Sequence, residues 1–178
     1  GNNATPGGSR LWIIDKGLGK GGLYDGGISA ANVYNPAGTA ASGAGFTLQP
    51  AQMFGQGPTI SNGVKTGTWL VAYNGTSSGG KESVLTVRVD NPLNNPTFFT
   101  QTVQVGDIDD TANTIDPTVP SPFLPPVPQK STTALLDFSD RRMQHAVWRN
   151  NSLYAVTQII PGSGPDTNQV TVHWFRID

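Results

Sequence analysis

The chain has no cysteine, and its acidic residues are eleven aspartates with a single glutamate, Glu82. Without thiols there are no disulfides, no thiolate nucleophiles and no cysteine-based zinc sites. Glu and Lys are good helix formers, while Asp, Asn, Gly and Pro favour turns. With 22 Gly and 14 Pro in 178 residues, helix is scarce by composition, and short strands joined by many turns are expected. A strong charge of one sign is missing too. Eleven basic residues against twelve acidic leave a formal charge of −1, which argues against a nucleic-acid or anionic-membrane partner. No apolar run approaches the roughly 20 residues of a membrane span. The opening GNNATPGGSR has neither a charged n-region nor an apolar h-region, as expected of a mature chain, a fragment or a cytosolic protein. The length suits one domain.

What is present is strand-like. β-Branched and aromatic runs predict strands at 11–15 (LWIID), 31–34 (ANVY), 46–48, 68–73 (TWLVAY), 83–89 (SVLTVRV) and 97–105 (TFFTQTVQV). Four more follow at 134–138 (ALLDF), 143–148 (MQHAVW), 152–160 (SLYAVTQII) and 169–177 (QVTVHWFRI). The polar members of 83–89 do not alternate strictly, so burial there is not one-sided. In 169–177, Val170, Val172, Trp174 and Arg176 share one face, and Thr171, His173, Phe175 and Ile177 the other. The longest connector, 106–132, holds six prolines and leaves no room for a helix or a central strand. It reads either as an interdomain linker or as an ordered loop packed on a sheet. Phe123 and Leu124 favour the loop.

A weak repeat runs through the strands. The segments LWIIDK to ANVYNP, TWLVAYNG to VLTVRVDNP and SLYAVTQI to VTVHWFRID share one plan: an aromatic-apolar strand, a Gly-rich turn, then a strand ending in a polar turn. They start at Leu11, Trp69 and Leu153, with spacings of 58 and 84. The excess of 26 is close to the length of the Pro-rich insertion. Further strands before and after each pair make four antiparallel strands per period, the plan of a propeller blade. The expected fold is therefore all-β, with residues 1–178 forming one unit of about two and a half antiparallel four-stranded blades, a fragment of a larger propeller. An irregular β-sandwich is the alternative.

The stretch LLDFSDRRMQHAVWRNNSLYAV resembles the inter-blade segment of exported bacterial β-propeller repeat proteins of the sialidase-like superfamily. An acidic-basic turn (Asp140, Arg141, Arg142) precedes an inner strand (Gln144 to Trp148), a short polar turn (Asn150, Asn151) and an aromatic strand (Leu153, Tyr154). FTLQPA resembles the other blade junction. The Ser-x-Asp-x-Gly-x-x-Trp box of sialidases is not matched, so the resemblance implies the scaffold and an extracellular or cell-surface location, not sialidase activity. The absence of cysteine also suits an exported bacterial protein.

Several residue groups could carry chemistry. Asp107, Asp109, Asp110 and Asp116 offer carboxylate oxygens of the kind Ca²⁺ takes. An EF-hand counted from Asp107 would put Ala112 at the glycine position and Thr118 at the glutamate position, so that motif is absent. An irregular Ca²⁺ site and a solvated acidic turn remain, the second preferred; no other cofactor is expected. Asp137, Asp140, Arg141, Arg142 and His145 could form a ligand or acid-base site. Their plainer reading is a paired turn with a structural, hydrogen-bonded His145. A sialidase-like site would need three converging Arg and a Tyr nucleophile with a Glu partner, and Glu82 sits in a Gly-rich turn. Aromatics in strands are read first as packing between blades. Tyr24, in a Gly-rich loop, is the best candidate to stack on a sugar or a protein.

The function expected from these features is a non-enzymatic scaffold or binding module with a protein or glycan ligand, contacting other blades of a parent chain or neighbouring subunits. Part of a glycan-active hydrolase propeller, or a subunit of a cell-surface layer or filament, are the alternatives.

Overall fold

The computed structural model describes residues 9–17, 19, 21–27, 32–35, 47–60, 63–73, 75, 80–110, 123–137 and 140–178. The strands are β1 (Leu11–Ile13), β2 (Asn32–Tyr34), β3 (Gln49–Met53), β4 (Thr66–Ala72), β5 (Glu82–Asp90) and β6 (Thr97–Gly106), then β7 (Val127–Pro128), β8 (Leu135–Leu136), β9 (His145–Arg149), β10 (Ser152–Ile159) and β11 (Thr171–Ile177). Among the described residues there is no α-helix; 3₁₀ backbone occurs at Leu23–Asp25 and at Gly63. No helix there is long and apolar enough to cross a membrane. The fold is all-β, as the composition requires.

Seven strands form one curled sheet in the order β11-β10-β9-β3-β4-β5-β6. It is two antiparallel meanders, β3 to β6 and β9 to β11, joined through β3 and β9. That joining pair is parallel, with Ala51 opposite Ala146 and Met53 opposite Trp148. This departs from the antiparallel pattern expected throughout. Each meander is opened by its own first strand, both run the same way, and the two meet edge to edge. Chain direction, not side-chain pattern, sets that pairing.

Local chemistry explains the boundaries. β9 and β10 are joined by Asn150 and Asn151, at φ 52° and 60°. Positive φ at both positions is the type I′ hairpin, whose twist matches that of the strands, and Asn tolerates it. Of the expected strand at 134–138, Phe138 lies outside the described residues and the strand covers Leu135–Leu136. Its partner β7 contains Pro128, which has no N–H to donate. The segment at 143–148 becomes a strand only at His145. Of 46–48, Phe46 lies outside the described residues and the strand begins at Gln49. Gly67 occupies the register shift between Thr66 and Thr68, where a Cβ would stand 2.4 Å from Pro92 Cγ.

Both faces of β4 and β5 are covered. On one, Val71, Tyr73 and Val84 pack against Ala146, Trp148, Leu153, Ala155 and Phe175. Trp69 stacks on Trp148 across this interface with ring centroids 5.5 Å apart. On the other, Leu70, Ala72, Leu85, Val87 and Val89 meet Leu11 and Ile13 of the β1–β2 hairpin. The molecule thus has three units: the β1–β2 hairpin, packed on the outer side of β4 and β5, and the β3–β6 and β9–β11 meanders, two parts of one curled sheet around a shared apolar interior.

A matched corner relates the second and third units. Arg88 pairs with Asp90 at the end of β5, and Arg176 with Asp178 at the end of β11. Each aspartate also accepts a hydroxyl from the preceding strand, Thr66 Oγ1 at 3.0 Å in one case and Ser152 Oγ at 2.5 Å in the other. The Ser152 hydroxyl, and secondarily Arg176, hold the Asp178 carboxyl below the usual carboxylate range.

The burial pattern separates two tryptophans. Trp148 is buried and Trp174 is 66% exposed. Trp148→Ala is expected to destabilise by about 3–5 kcal/mol through lost burial and a cavity. Trp174→Ala is expected to stay within about 0.5 kcal/mol, both measured by urea unfolding. The reverse ranking would contradict the stacking described here.

Candidate functional site

The densest polar cluster lies where the second and third units meet, and it is closed. Arg141, just before β9, is fully buried with its partner Asp109, which follows β6. Arg141 Nε donates to Asp109 Oδ1 and Oδ2 at 3.0 and 2.8 Å. Its terminal nitrogens donate to the carbonyls of Phe123, at 3.0 Å, and Asp110, at 2.8 Å. The Asp109 carboxylate also accepts from the Tyr73 hydroxyl and the Ile160 N–H, each at 3.0 Å. Glu82, at the start of β5 and buried, accepts the Ile108 N–H at 2.7 Å and the Asp109 N–H at 3.4 Å. Thr157 Oγ1 donates to the Arg141 carbonyl at 2.5 Å. Gly75, at φ +74°, lies over the cluster; a Cβ there would approach Arg141 Cδ to 2.6 Å.

This brings together a tyrosine, a glutamate, an aspartate and an arginine, the residue types of a glycan-hydrolysing site. Their geometry is that of a strut. The carboxylate of Asp109 is taken up by one guanidinium, one phenol and one backbone amide. Burial, and then the Asp109 charge, push the Tyr73 phenol far above its usual value, so it stays a hydroxyl donor.

A second pair lies beside it. Asp140, buried, accepts the Arg142 N–H at 2.8 Å and Arg142 Nε at 2.6 Å, and pairs with Arg142 Nη2 as well. The hydrogen bond to Asp140 raises the Arg142 guanidinium above its usual value. Asp140, Arg142 and Gln144 line an open polar cleft of about 230 Å³ with Thr47, Gln49 and Met143. Two of the residues singled out from sequence, Asp140 and Arg142, come together in this opening.

The other candidates disperse. Asp137 is exposed, outside the lining of that cleft. His145 is exposed at the start of β9 instead of being a buried, hydrogen-bonded residue. The reason is the late start of the strand: Met143 is buried, yet His145 alternates outward with Val147. Tyr24 is 62% exposed on the 3₁₀ turn, with Lys16 Nζ 5.6 Å from its ring centre. Of the acidic loop, Asp107 is exposed, Asp109 is committed to Arg141, Asp110 is half-buried, and Asp116 lies outside the described residues. Among the described residues no group of three or more His, Cys, Asp or Glu is placed to hold a metal ion. Of the strand aromatics expected in the core, Trp12 is 58% exposed, and Trp174 stands out similarly. Tyr73 and Glu82 were not singled out for this cluster; a lone glutamate in a chain rich in aspartate was their only signal.

Removing one partner of a buried pair strands the other charge. Arg141→Met is expected to cost about 3–5 kcal/mol, and Arg142→Met, whose side chain is 42% exposed, less than about 1 kcal/mol; denaturant unfolding compares them. The folded chain keeps the Tyr73 proton that the unfolded chain loses above about pH 10. Stability should therefore fall as pH rises past that point, with Tyr73 adding about 1.4 kcal/mol per pH unit to the slope. In Tyr73→Phe this contribution should vanish, as urea unfolding at a series of alkaline pH values would show.

Comparison with protein-family models, with curated proteins and with solved structures returned no match to this chain.

Proposed function

We propose that the chain is a non-enzymatic extracellular scaffold or binding module, part of a larger bacterial β-propeller protein. In this reading the β3–β6 meander is one four-stranded blade, and β9–β11 and β1–β2 are portions of its neighbours. The curl of the seven-stranded sheet around one apolar interior, with the β1–β2 hairpin packed on its outer side, supports it. So do the Arg-x-Asp corners repeated at the ends of β5 and β11 and the two first strands lying side by side in parallel.

The observation that carries the non-enzymatic part is the burial of the Asp109–Arg141–Tyr73–Glu82 cluster. Glycosidases flank an open cleft with two carboxyl groups about 5 to 10 Å apart. Here the carboxyl groups at the unit junction are spent on backbone amides and guanidinium groups. A stiff frame of this kind suits ligand binding by the loops at one end of the sheets, where the cleft lined by Asp140 and Arg142 opens.

Two measurements test this. A panel of fluorogenic glycosides should show no turnover by the purified chain; turnover that disappears in Tyr73→Phe or Asp140→Asn would replace the reading with a hydrolase. The intact mass of the natural protein should lie well above 18.7 kDa. A natural protein of that mass would remove the parent propeller.

A further inference from the structure

Resting on the binding-module reading above, we infer that the cleft at the starts of β3 and β9 binds one neutral hexose unit, held by the side-chain amides of Gln49 and Gln144 and the guanidinium of Arg142. The parallel register of the two strands builds the site. Ala51 lies opposite Ala146, so two residues earlier Gln49 lines up with Gln144. Both glutamines line the cleft, beside Thr47, Asp140, Arg142 and Met143. Both strands are internal to the seven-stranded sheet.

The wall of the cleft is ordered without a ligand. The Gln144 N–H donates to the Val156 carbonyl at 2.9 Å, and the Met143 N–H to the Tyr73 carbonyl at 3.2 Å. Thr157 Oγ1 donates to the Arg142 carbonyl at 3.2 Å. The buried Arg141 anchors the chain between Asp140 and Arg142. Several polar groups on this ordered wall still have capacity to spare. Arg142 spends Nε and Nη2 on Asp140, and its Nη1 has no partner among the described residues. Gln144 Nε2 donates to the Arg142 carbonyl at 3.0 Å, and its Oε1 is unused among the described residues. The Gln49 amide likewise has no side-chain partner among them. Thr47 Oγ1 is buried and unpaired. Polar groups already fixed in place lose little freedom when a ligand takes them up, which favours binding.

The chemistry of these groups selects the ligand. A carboxamide both donates and accepts, and so does a hydroxyl, so the wall matches a ligand with neighbouring hydroxyls. Asp140 already neutralises Arg142, and an anionic ligand would meet that carboxylate beside the guanidinium. A peptide added as a strand needs an unpaired sheet edge, whereas β3 and β9 are flanked by strands on both sides. A side-chain anchor needs an apolar pocket, and the only apolar side chain lining this cleft is Met143. The cleft, at about 230 Å³, is smaller than the roughly 300 Å³ at which pockets for drug-sized ligands begin. That size suits a single sugar ring and not an oligosaccharide.

Titration of the 178-residue chain with the methyl glycosides of glucose, galactose and mannose tests this. Binding is followed by the glutamine side-chain amide signals in nitrogen-edited NMR spectra. Methyl glucuronide and a capped alanine tripeptide serve as the anionic and peptide probes. At least one neutral glycoside should shift the Gln49 and Gln144 signals, with a Kd of about 1 mM, and neither of the other two probes should. Gln49→Ala and Gln144→Ala should each weaken binding about tenfold through lost hydrogen bonds. Neither side chain is buried, so both variants should keep the wild-type far-UV spectrum and unfolding midpoint. Absence of any shift with the neutral glycosides up to roughly 50 mM overturns the inference. So does a shift of equal strength in both variants, or tighter binding of the glucuronide or of the tripeptide. Release of free sugar from a bound glycoside would overturn the non-enzymatic reading and leave the hexose site standing, so the two fail separately.

Discussion

A guanidinium and a carboxylate at 0% exposure hold this molecule to one arrangement. Taking two charges out of water costs several kcal/mol each, and their attraction offsets that only if the remaining donors and acceptors are satisfied. Arg141, on the approach to β9, and Asp109 meet the condition with partners from four further places and with each other. These are the residue following β4, the loop after β6, Phe123 and the end of β10. A slip of any of them would strand a buried charge. The pair therefore selects one registration of the second unit against the third, where apolar contacts alone would tolerate several. Gly75 is part of the same constraint, because a side chain there would occupy the space of the Arg141 methylenes.

That constraint uses up the chemistry. The one glutamate of the chain ties down two backbone amides. The tyrosine nearest to a carboxylate is held as a donor, and Asp140 is held by Arg142. Exposed among the described residues are apolar side chains such as Trp12, Val172 and Trp174, and a small polar cleft lined by Asp140 and Arg142. Both faces of β5 are buried because the sheet interior covers one and the β1–β2 hairpin the other, while one face of β11 carries the exposed Val172 and Trp174.

Some of the structure was legible in the residues. The mixed polarity of 83–89 anticipated a strand buried on both sides, and β5 is one. The division of 169–177 into two faces holds residue by residue in β11. Asp140 and Arg142, two apart, form the expected pair because their contact is local. Elsewhere the reading ran out where distance began. Asp109 was read as part of a solvated acidic turn, with an irregular Ca²⁺ site as the alternative, because it sits among other aspartates. Its partner, Arg141, lies 32 residues away. His145 was read as a structural, hydrogen-bonded residue in a strand running from Met143; the strand starts at His145 itself, which is exposed.

The amino-acid order by itself determined the class of fold, most strand positions, the alternation along them and the turn at Asn150–Asn151. All of these are set by backbone sterics and by neighbours within a few residues. Only the tertiary structure decided that β3 and β9 run side by side in parallel, that Asp109 meets Arg141, and that Trp148 is covered while Trp174 is not. Those outcomes depend on which distant strands come together. Apolar alternation states that a face wants cover, and it is silent on what will cover it.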